Sequence, residues 1–308
     1  MMDGGRRALL RTMVAAGAGF AARRIFAAPQ EPAPMRTRKI PSSGEELPVV
    51  GAGTSGAFEV GDSPEERAPI EEVVRTLAAG GGRVVDTSPM YGKAEGVVGD
   101  VAAKLALTDK LFLATKVWTT GRAEGIRQME ESFAKLRTKR IDLMQIHNLV
   151  DWRTQLTTLR EWKAAGRIRY VGVTHYRVDA HDELEAVLKA EPFDFVQLNY
   201  SVATRDAEKR LLPLAIDRGV AVLVNRPFED GELFSRVRGR ALPSWASEIG
   251  CDSWAQLFLK YVLAHPAVTC AIPATAKPAH MRDDLGGGRG PLPDAAQRAK
   301  IVEALGTS

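Results

Sequence analysis

Cysteine is scarce in this sequence: Cys251 and Cys270 are the only two among 308 residues. Two thiols cannot form a disulfide framework, which argues against a small disulfide-stapled domain. Cys270 lies within an apolar run and is interpreted as a small core residue. A disulfide between the two thiols is the alternative if the chain is exported. The chain is long enough to bury a sizeable hydrophobic core.

The sequence also lacks long apolar runs, and the residues after position 30 carry no net charge. No segment approaches the roughly 18 consecutive apolar residues of a membrane span, so we expect no stable membrane anchor. The formal charge of +4 comes from residues 1–30, where five arginines face one aspartate, and the remaining 37 basic and 37 acidic side chains balance. A balanced body argues against binding to nucleic acid or to an anionic membrane.

The paired histidines of a metal centre are absent as well. A metal-dependent barrel hydrolase is expected to carry a His-x-His pair on an early strand, and none of the five histidines forms one. No metal site is therefore predicted. A hydrolase that uses Asp86 and His147 is kept as an alternative.

Residues 1–30 have the plan of an export signal. Arg6 and Arg7 are followed by Ala-Leu-Leu-Arg and then by a mildly apolar run over 12–22. Two further arginines come next, and the segment ends with Ala-Ala-Pro before residue 30. The segment resembles a twin-arginine (Tat) signal, which implies recognition by the Tat export machinery and a periplasmic or exported protein. A basic amphipathic or disordered tail is the alternative. Residues 31–38 are predicted to be a proline-rich tether that does not pack, and residues 39–308 to be the folded body.

From Ile40 onward, short apolar runs alternate with amphipathic helical patterns. Continuous apolar runs are typical of strands buried on both faces, and apolar spacings of three and four are typical of helices. The predicted strands cover 47–50, 83–86, 111–116, 141–146, 170–173, 195–199, 220–224 and 268–272, and the clearest helices cover 66–77, 124–136, 154–165, 179–188 and 207–217. This regular alternation, with no linker in the middle, predicts an α/β fold that is a single (β/α)8 TIM barrel.

Three local patterns refine the prediction. Residues 63–66 (SPEE) are a capping box, so a helix is expected to begin at Pro64. Residues 36–47 are predicted to form an N-terminal β-hairpin, turning at Ser-Gly, that closes the lower end of the barrel. Residues 51–56 (GAGTSG) satisfy the GxGxxG pattern. A dinucleotide fingerprint needs a helix that opens on these glycines, and here the helix starts too late.

Ionisable residues stand at the ends of three successive predicted strands. Asp86 ends one strand, Lys116 ends the next and His147 follows the third, at spacings of 30 and 31 residues. In a barrel these positions lie side by side on the C-terminal rim, where catalytic groups gather. Tyr91 can reach the same rim from the loop after Asp86. Ionisable groups at apolar strand ends are costly unless they are paired, so these four residues are predicted to be catalytic.

The quartet suits carbonyl reduction. A phenol with a pKa of about 10 is a poor proton donor to a developing alkoxide at neutral pH, unless a neighbour lowers its pKa. The Lys116 ammonium is expected to do so for Tyr91, while the Asp86 carboxylate keeps that ammonium charged. A neutral His147 is expected to donate a hydrogen bond to the carbonyl oxygen.

The motifs around these residues resemble those of the aldo/keto reductase superfamily. They are DTSPMYG at 86–92, ATK at 114–116 and IDLMQIHN at 141–148. The resemblance implies a (β/α)8 barrel that binds NADP(H) across its C-terminal face and reduces an aldehyde or ketone. By matched position, Tyr91 is the general acid, Lys116 and Asp86 are its tuning pair, and His147 orients the carbonyl.

The same resemblance implies residues that bind the cofactor. Thr174, His175 and Gln197 match the positions that bind the nicotinamide carboxamide, although the family usually has Ser-Asn at the first two. Thr54, in the turn where the resemblance begins, is assigned to the cofactor site as well.

A first departure from the family pattern follows the seventh strand. The family commonly places there a tyrosine that stacks on the nicotinamide, whereas this chain has Asn225, Arg226, Pro227 and Phe228. The asparagine or the arginine has to substitute for that ring, so these four residues are assigned to the cofactor site.

A second departure lies after the eighth strand, where a helix N-terminus is expected to hold the adenosine 2′-phosphate. Thr275, Lys277 and His280 are assigned to it, although the lysine-serine pair and the arginine of many NADPH-dependent members are replaced. NADP(H) is favoured over NAD(H), with the preference open.

Two functions follow. The first is NAD(P)H-dependent reduction of a small-molecule carbonyl substrate. The second is a nucleotide-binding barrel of weak or no activity that acts as a redox sensor or binding subunit. Trp118 and Trp152, just after the Lys116 and His147 strands, are candidates for the wall of a substrate pocket, with loop packing as the alternative.

Overall fold

The structure is a computed structural model that describes residues 33–306. The export signal predicted at residues 1–30 lies outside the described residues. Within residues 33–306, none of the helices has the length and apolar character needed to cross a membrane.

The described chain begins with a short hairpin. Strand β1 (Thr37–Lys39) pairs antiparallel with β2 (Glu46–Pro48). Leu47 is buried in the same cluster of side chains as the barrel interior, and the turn is joined to the barrel by the hydroxyls of Ser43 and Tyr170, which lie 2.8 Å apart. The predicted hairpin is confirmed.

Eight parallel strands form the barrel. They are β3 (Ala52–Gly53), β4 (Val84–Asp86), β5 (Phe112–Val117), β6 (Ile141–His147), β7 (Ile168–His175), β8 (Phe195–Asn199), β9 (Ala221–Asn225) and β10 (Val268–Ala271). Each strand pairs with the next along the chain. Single parallel bridges, from Val50 to Ala271 and from Gly53 to Ala274, bring the first strand to the last. The predicted (β/α)8 TIM barrel is confirmed.

Helices cover the outside of the barrel. They are α1 (Pro64–Ala79), α2 (Ala94–Lys104), α3 (Arg122–Leu136), α4 (Trp152–Ala164), α5 (His181–Ala190), α6 (Leu211–Arg218), α7 (Glu232–Arg236), α8 (Trp254–Leu263), α9 (Pro278–Gly287) and α10 (Ala295–Leu305). Short 3-10 helices cover Val178–Ala180, Asp206–Glu208, Glu229–Gly231 and Ser244–Ile249. As predicted, α1 begins at Pro64, because Ser63 Oγ accepts a hydrogen bond from Glu66 N at 3.3 Å.

Two layers of apolar side chains hold these elements together. The larger one lies between the strands and the helices. The smaller one fills the barrel and includes Phe112, Leu143, Tyr170, Phe195 and Leu223. Since side chains alternate along a strand, positions two or four residues further along face the same interior, at the C-terminal end of the barrel.

The first barrel strand is shorter than the sequence predicts. A strand is expected over 47–50, but β2 ends at Pro48, and Val50 makes only a single parallel bridge to Ala271. The barrel strand β3 covers only two residues, and it is crowded. A Cβ on Gly51 would lie 2.7 Å from Val84 Cβ, and one on Gly53 would lie 2.7 Å from the carbonyl oxygen of the residue after β10. The first two glycines of the GxGxxG pattern therefore serve strand packing, whereas Gly56 takes a left-handed φ of +66° in the turn that follows.

The predicted tether packs against the barrel in its described part, residues 33–38. The Arg38 guanidinium donates to the carbonyl oxygens of Leu263 at 2.6 Å and His265 at 2.7 Å. Helix α8 ends at Leu263, and the last carbonyls of a helix lack partners within the helix, so an arginine stabilises them. The prediction of an unpacked tether is wrong here, because composition alone does not show such a partner.

Both cysteines are free and buried. Cys270 lies among the side chains of the barrel interior, which agrees with its prediction as a small core residue. Burial raises the pKa of the Cys251 thiol to about 11. The alternative of a disulfide between the two is not realised in this structure.

Candidate active site

The barrel interior is polar at its C-terminal end. Alternation along the strands brings ionisable and amide side chains to the inward positions above the apolar layer. These are Asp86, Lys116, Gln145, His147, Thr174, Gln197 and Asn225, of which all but the last are at most 4% exposed. The three predicted strand-end residues, Asp86, Lys116 and His147, therefore come together.

Two acceptors hold the ammonium of Lys116, which is fully buried. Nζ donates to Asp86 Oδ2 at 2.6 Å and to the Thr87 carbonyl oxygen at 2.7 Å. Burial disfavours the ammonium, but the Asp86 and Tyr91 side chains outweigh that effect, so the pKa of Lys116 lies above its ordinary value. Lys116 and Asp86 therefore form a charged buried pair.

Two amides hold the other oxygen of Asp86. Oδ1 accepts from Gln145 Nε2 at 2.9 Å and from Gln197 Nε2 at 2.8 Å. A carboxylate only accepts, so Gln197 has to turn its Nε2 to Asp86 and its Oε1 away. That Oε1 accepts from Asn225 Nδ2 at 3.3 Å. Asn225 Oδ1 is then left buried, with no hydrogen-bond partner among the described residues.

A glycine on the neighbouring strand makes room for Gln145. Gln145 pairs in register with Gly172 of β7. A Cβ on Gly172 would lie 2.9 Å from Gln145 Cγ and 3.1 Å from Leu143 Cδ1. A larger residue at this position would displace the amide from Asp86, because the interior is close-packed.

Tyr91 approaches the charged pair from the loop after β4. Lys116 Nζ lies 5.0 Å from the centroid of the Tyr91 ring, and that ring meets the His147 ring edge-on, with centroids 5.9 Å apart. Burial raises the pKa of Tyr91 above its ordinary value, and the Lys116 ammonium offsets only part of that rise. The predicted lowering is therefore wrong, because burial disfavours the phenolate more than the neighbouring ammonium favours it.

His147 is held neutral. Burial, with smaller contributions from Lys116 and His175, lowers the pKa of His147 to about 2. This agrees with the neutral imidazole predicted for a hydrogen-bond donor. His147 Nδ1 lies 3.1 Å from the hydroxyl oxygen of Ser88, a buried residue of the Tyr91 loop.

The two candidate tryptophans differ in their surroundings. Trp118 is 41% exposed, and its ring centroid lies 6.4 Å from that of His147, so it borders the catalytic candidates. Trp152 begins α4, packs against the outer core and lies under the Arg153 guanidinium, 4.3 Å from its ring centroid. The position of Trp118 is consistent with a pocket wall, whereas Trp152 packs in the outer core.

Thr54 lies against the strand that ends in Asp86. Its hydroxyl and its backbone N–H both donate to the Asp86 carbonyl oxygen, at 3.0 Å and 3.1 Å. The side chain is fully buried. In the described contacts Thr54 therefore holds the end of β4, which positions the Asp86 side chain.

Two of the three predicted carboxamide ligands face the barrel interior. Thr174 pairs in register with Gln197, and both are buried. His175, the next residue, alternates to the other side. Its Nδ1 accepts from Arg177 N at 3.2 Å, and its ring is parallel to that of Tyr176 at a centroid distance of 5.8 Å.

The segment after β9 divides between the site and the core. Asn225 faces Gln197, as described above. The Arg226 guanidinium lies over the Tyr176 ring, 5.7 Å from its centroid, and its backbone has a left-handed φ of +49°. Pro227 is buried, and Phe228 packs against the outer core. Of the four predicted cofactor residues, only Asn225 contacts the polar network inside the barrel.

The helix that follows the last strand is α9, as the sequence predicts. Thr275 is buried, and its Oγ1 accepts from Lys277 N at 3.1 Å. Lys277 immediately precedes the helix and His280 lies in its first turn, and both are exposed. The N-terminus of a helix attracts anions, so these two side chains flank a position suited to a phosphate.

Three residues of the site are missed by the sequence analysis. Gln145, Gly172 and Ser88 contact Asp86, Gln145 and His147 respectively. The available signal for Gln145 is a polar residue two positions before His147, hence on the same inward face of β6. Gly172 and Ser88 become recognisable only when the register and the loop are known.

The alternative of a metal-dependent hydrolase finds no matching side-chain group. Both carboxylate oxygens of Asp86 are bonded to Lys116, Gln145 and Gln197. Across residues 33–306, no group of three or more His, Cys, Asp or Glu side chains is placed to hold a metal ion.

Comparison with known families agrees with this geometry. A model of the Aldo/keto reductase family matches residues 49–303. The chain belongs to this family. The match spans the eight strands and all the residues assigned to the site.

Curated relatives of this aldo/keto reductase share under a third of its residues. The Escherichia coli methylglyoxal reductase YeaE is 29% identical over 258 residues, which are 81% of this chain and 89% of the relative. The Bacillus subtilis aldo-keto reductase YhdN is 29% identical, over 62% of this chain and 61% of the relative. The E. coli NADH-specific methylglyoxal reductase is 30% identical, over 53% and 57%. The chain therefore spans less than two thirds of two of these relatives.

Solved structures of aldo-keto reductases share the fold. A Klebsiella pneumoniae aldo-keto reductase in complex with NADPH superposes with a TM-score of 0.74 at 24% identity, over 88% of this chain and 95% of that chain. At this identity the likeness concerns the fold.

Proposed function

We propose that this aldo/keto reductase uses NAD(P)H to reduce an aldehyde or ketone to an alcohol, with Tyr91 as the general acid. The observation that carries the proposal is the buried Lys116–Asp86 pair, with Nζ 2.6 Å from the carboxylate and 5.0 Å from the Tyr91 ring centroid. Such a pair supplies a fixed positive charge beside the phenol, where a proton has to leave.

Each side chain of the quartet has one task in the proposed reaction. Tyr91 holds the proton that is transferred to the carbonyl oxygen, and like an ordinary phenol it is protonated at neutral pH. The Lys116 ammonium stabilises the phenolate that remains, and Asp86 holds the ammonium in place. Neutral His147 donates a hydrogen bond to the carbonyl oxygen as negative charge develops there. The nicotinamide cofactor, when bound, supplies the hydride.

The residues at the barrel mouth fit a nicotinamide. The unpartnered Asn225 Oδ1 is an acceptor that needs an N–H donor, and a carboxamide offers two. Thr174 and Gln197 face the same interior and are proposed to share that group. Trp118 is proposed to line the substrate pocket, since it borders His147.

We propose NADP(H) as the preferred cofactor over NAD(H). The support is Lys277, whose exposed side chain precedes the N-terminus of α9, with His280 in its first turn. The relatives differ in this respect: one curated relative is named NADH-specific, and the K. pneumoniae structure contains NADPH. The Kd values of NADPH and NADH should differ in favour of NADPH, and Lys277→Ala should reduce the difference.

Turnover of the purified protein tests the proposed function. We expect oxidation of NADPH or NADH that depends on an added carbonyl compound, and methylglyoxal belongs in the aldehyde panel because two relatives are named for it. Tight nucleotide binding without turnover on any carbonyl would contradict the proposal. It would favour the alternative of a sensor or binding subunit.

The pH dependence of kcat/KM for carbonyl reduction is expected to be flat between about pH 5 and 9. The pKa of His147 is lowered to about 2, so the ring stays neutral, while the pKa values of Tyr91 and Lys116 are raised, so both keep their protons. An ordinary histidine would instead give a limb near its pKa of about 6.5. A change of kcat/KM near that pH that disappears in His147→Gln would show that His147 titrates normally.

We propose further that the chain is exported through the Tat pathway. The support is the Arg6-Arg7 pair, followed by an apolar run and a second arginine pair at 23–24. In a host with a Tat system, protein expressed from the complete sequence should be found outside the cytoplasm on fractionation. The Arg6→Lys/Arg7→Lys variant should be found inside it. Equal export of both would contradict this proposal.

A further inference from the structure

Ser88 joins the loop of the general acid to the ring of His147. The residue lies between Asp86 and Tyr91 and is fully buried. Its Oγ is 3.1 Å from His147 Nδ1 and accepts a hydrogen bond from Met90 N at 3.2 Å. Its carbonyl oxygen accepts from Tyr91 N at 3.0 Å. One side chain therefore contacts the histidine while its backbone fixes the start of the tyrosine turn.

The contacts of the Ser88 hydroxyl determine the direction of its bond to His147. The hydroxyl has one proton to donate, and the bond from Met90 N uses only a lone pair. A buried hydroxyl that donates to nothing is costly. The acceptor that the described contacts offer is His147 Nδ1, so Oγ–H donates and Nδ1 accepts.

An imidazole whose Nδ1 accepts has its proton elsewhere. The ring is neutral, as shown above, so it carries a single proton, and that proton is on Nε2. In the opposite tautomer Nδ1–H would donate to Ser88, and the Ser88 proton would lose its acceptor. Nε2 would then present a lone pair to a carbonyl oxygen, where a donor is required.

We propose that Ser88 is a positioning residue that holds His147 in the Nε2–H tautomer, so that this N–H is available to the carbonyl oxygen of the substrate. The consequence for catalysis rests on the proposed function. The tautomer itself does not, because it follows from contacts within the chain.

NMR of protein with ¹⁵N-labelled histidine tests the proposal directly. Long-range ¹⁵N–¹H correlations distinguish a protonated ring nitrogen from an unprotonated one, and His147→Gln assigns the signals. In the wild type we expect an unprotonated Nδ1 and a protonated Nε2. A protonated Nδ1 in the wild type overturns the proposal, whatever any variant does and whether or not the protein reduces carbonyls.

Two variants separate positioning from general structural support. In Ser88→Ala we expect a mixed or reversed tautomer, a fall in kcat/KM of about tenfold, and an unchanged Kd for the nucleotide. Ser88→Thr keeps the hydroxyl and should restore the wild-type tautomer and most of the activity. If Ser88→Ala keeps the wild-type tautomer, the proposal fails even when activity drops. If the NMR result is as expected but no carbonyl is reduced, the proposed function fails and the tautomer assignment stands.

Discussion

Tyr91→Phe is expected to lower kcat for carbonyl reduction by about 10²–10⁴-fold, the range of a positioned general acid. The substitution removes one hydroxyl and keeps the ring that meets His147 edge-on at 5.9 Å. Because the proton donor acts in the transition state, kcat and kcat/KM should fall together while the nucleotide Kd changes little. Steady-state kinetics and a fluorescence titration of the nucleotide measure both.

A matched control is a tyrosine hydroxyl outside the site. Tyr261 donates to Glu208 at 3.1 Å on the outer side of the barrel, so Tyr261→Phe also removes one bonded hydroxyl. Its activity should stay near that of the wild type. Tyr91→Phe with more than a tenth of the wild-type kcat would exclude Tyr91 as the general acid and leave the reaction to another donor.

Lys116→Met is expected to reduce the free energy of unfolding by about 3–5 kcal/mol, the usual cost of breaking a buried ion pair. The substitution leaves the Asp86 carboxylate buried without its cation, with only the amides of Gln145 and Gln197 as donors. Activity should fall to background as well. Denaturant unfolding followed by circular dichroism, beside kinetics on the folded fraction, separates the two losses.

The double variant Asp86→Asn/Lys116→Met distinguishes stability from catalysis. It removes both charges, so no unpaired ion is buried, and the free energy of unfolding should recover much of what the single variant loses. Activity should not recover, because Tyr91 still lacks the ammonium. If Lys116→Met is as stable as the wild type, the pair is not charged; if the double variant is active, Lys116 is not required.

The placing of the four proposed catalytic residues on one rim could be predicted because its signals are local. Asp86, Lys116 and His147 each end an apolar strand, and a spacing of one βα unit puts such ends on one rim of any parallel barrel. Tyr91 is close to Asp86 in the chain, so its place depends on a single short loop. Strand positions followed from apolar runs in the same way, with an error at the first strand, where the run at 47–50 belongs in part to the hairpin strand β2 and the barrel strand is β3.

The supporting residues could not be predicted, because their partners are distant in the chain. Gln145 matters through Asp86 and through the space left by Gly172, and both relations depend on strand register. Arg38 was assigned to a tether from the composition of its segment, since its acceptors, carbonyls at and just after the end of α8, lie more than 220 residues away. Composition cannot show which backbone groups lack a partner.

The sequence by itself determined the barrel and the place of four side chains at its rim, since periodicity and spacing are properties of neighbouring residues. The family was indicated by the resemblance of the motifs around those side chains. Only the tertiary structure decided how those side chains behave. The pKa of Tyr91 is raised rather than lowered because the ring is buried. The extent of that burial depends on every segment that covers the ring. A chain of hydrogen bonds links Asp86 through Gln197 to Asn225, and the direction of the first bond sets the direction of the next. This chain forms only when the strands lie side by side.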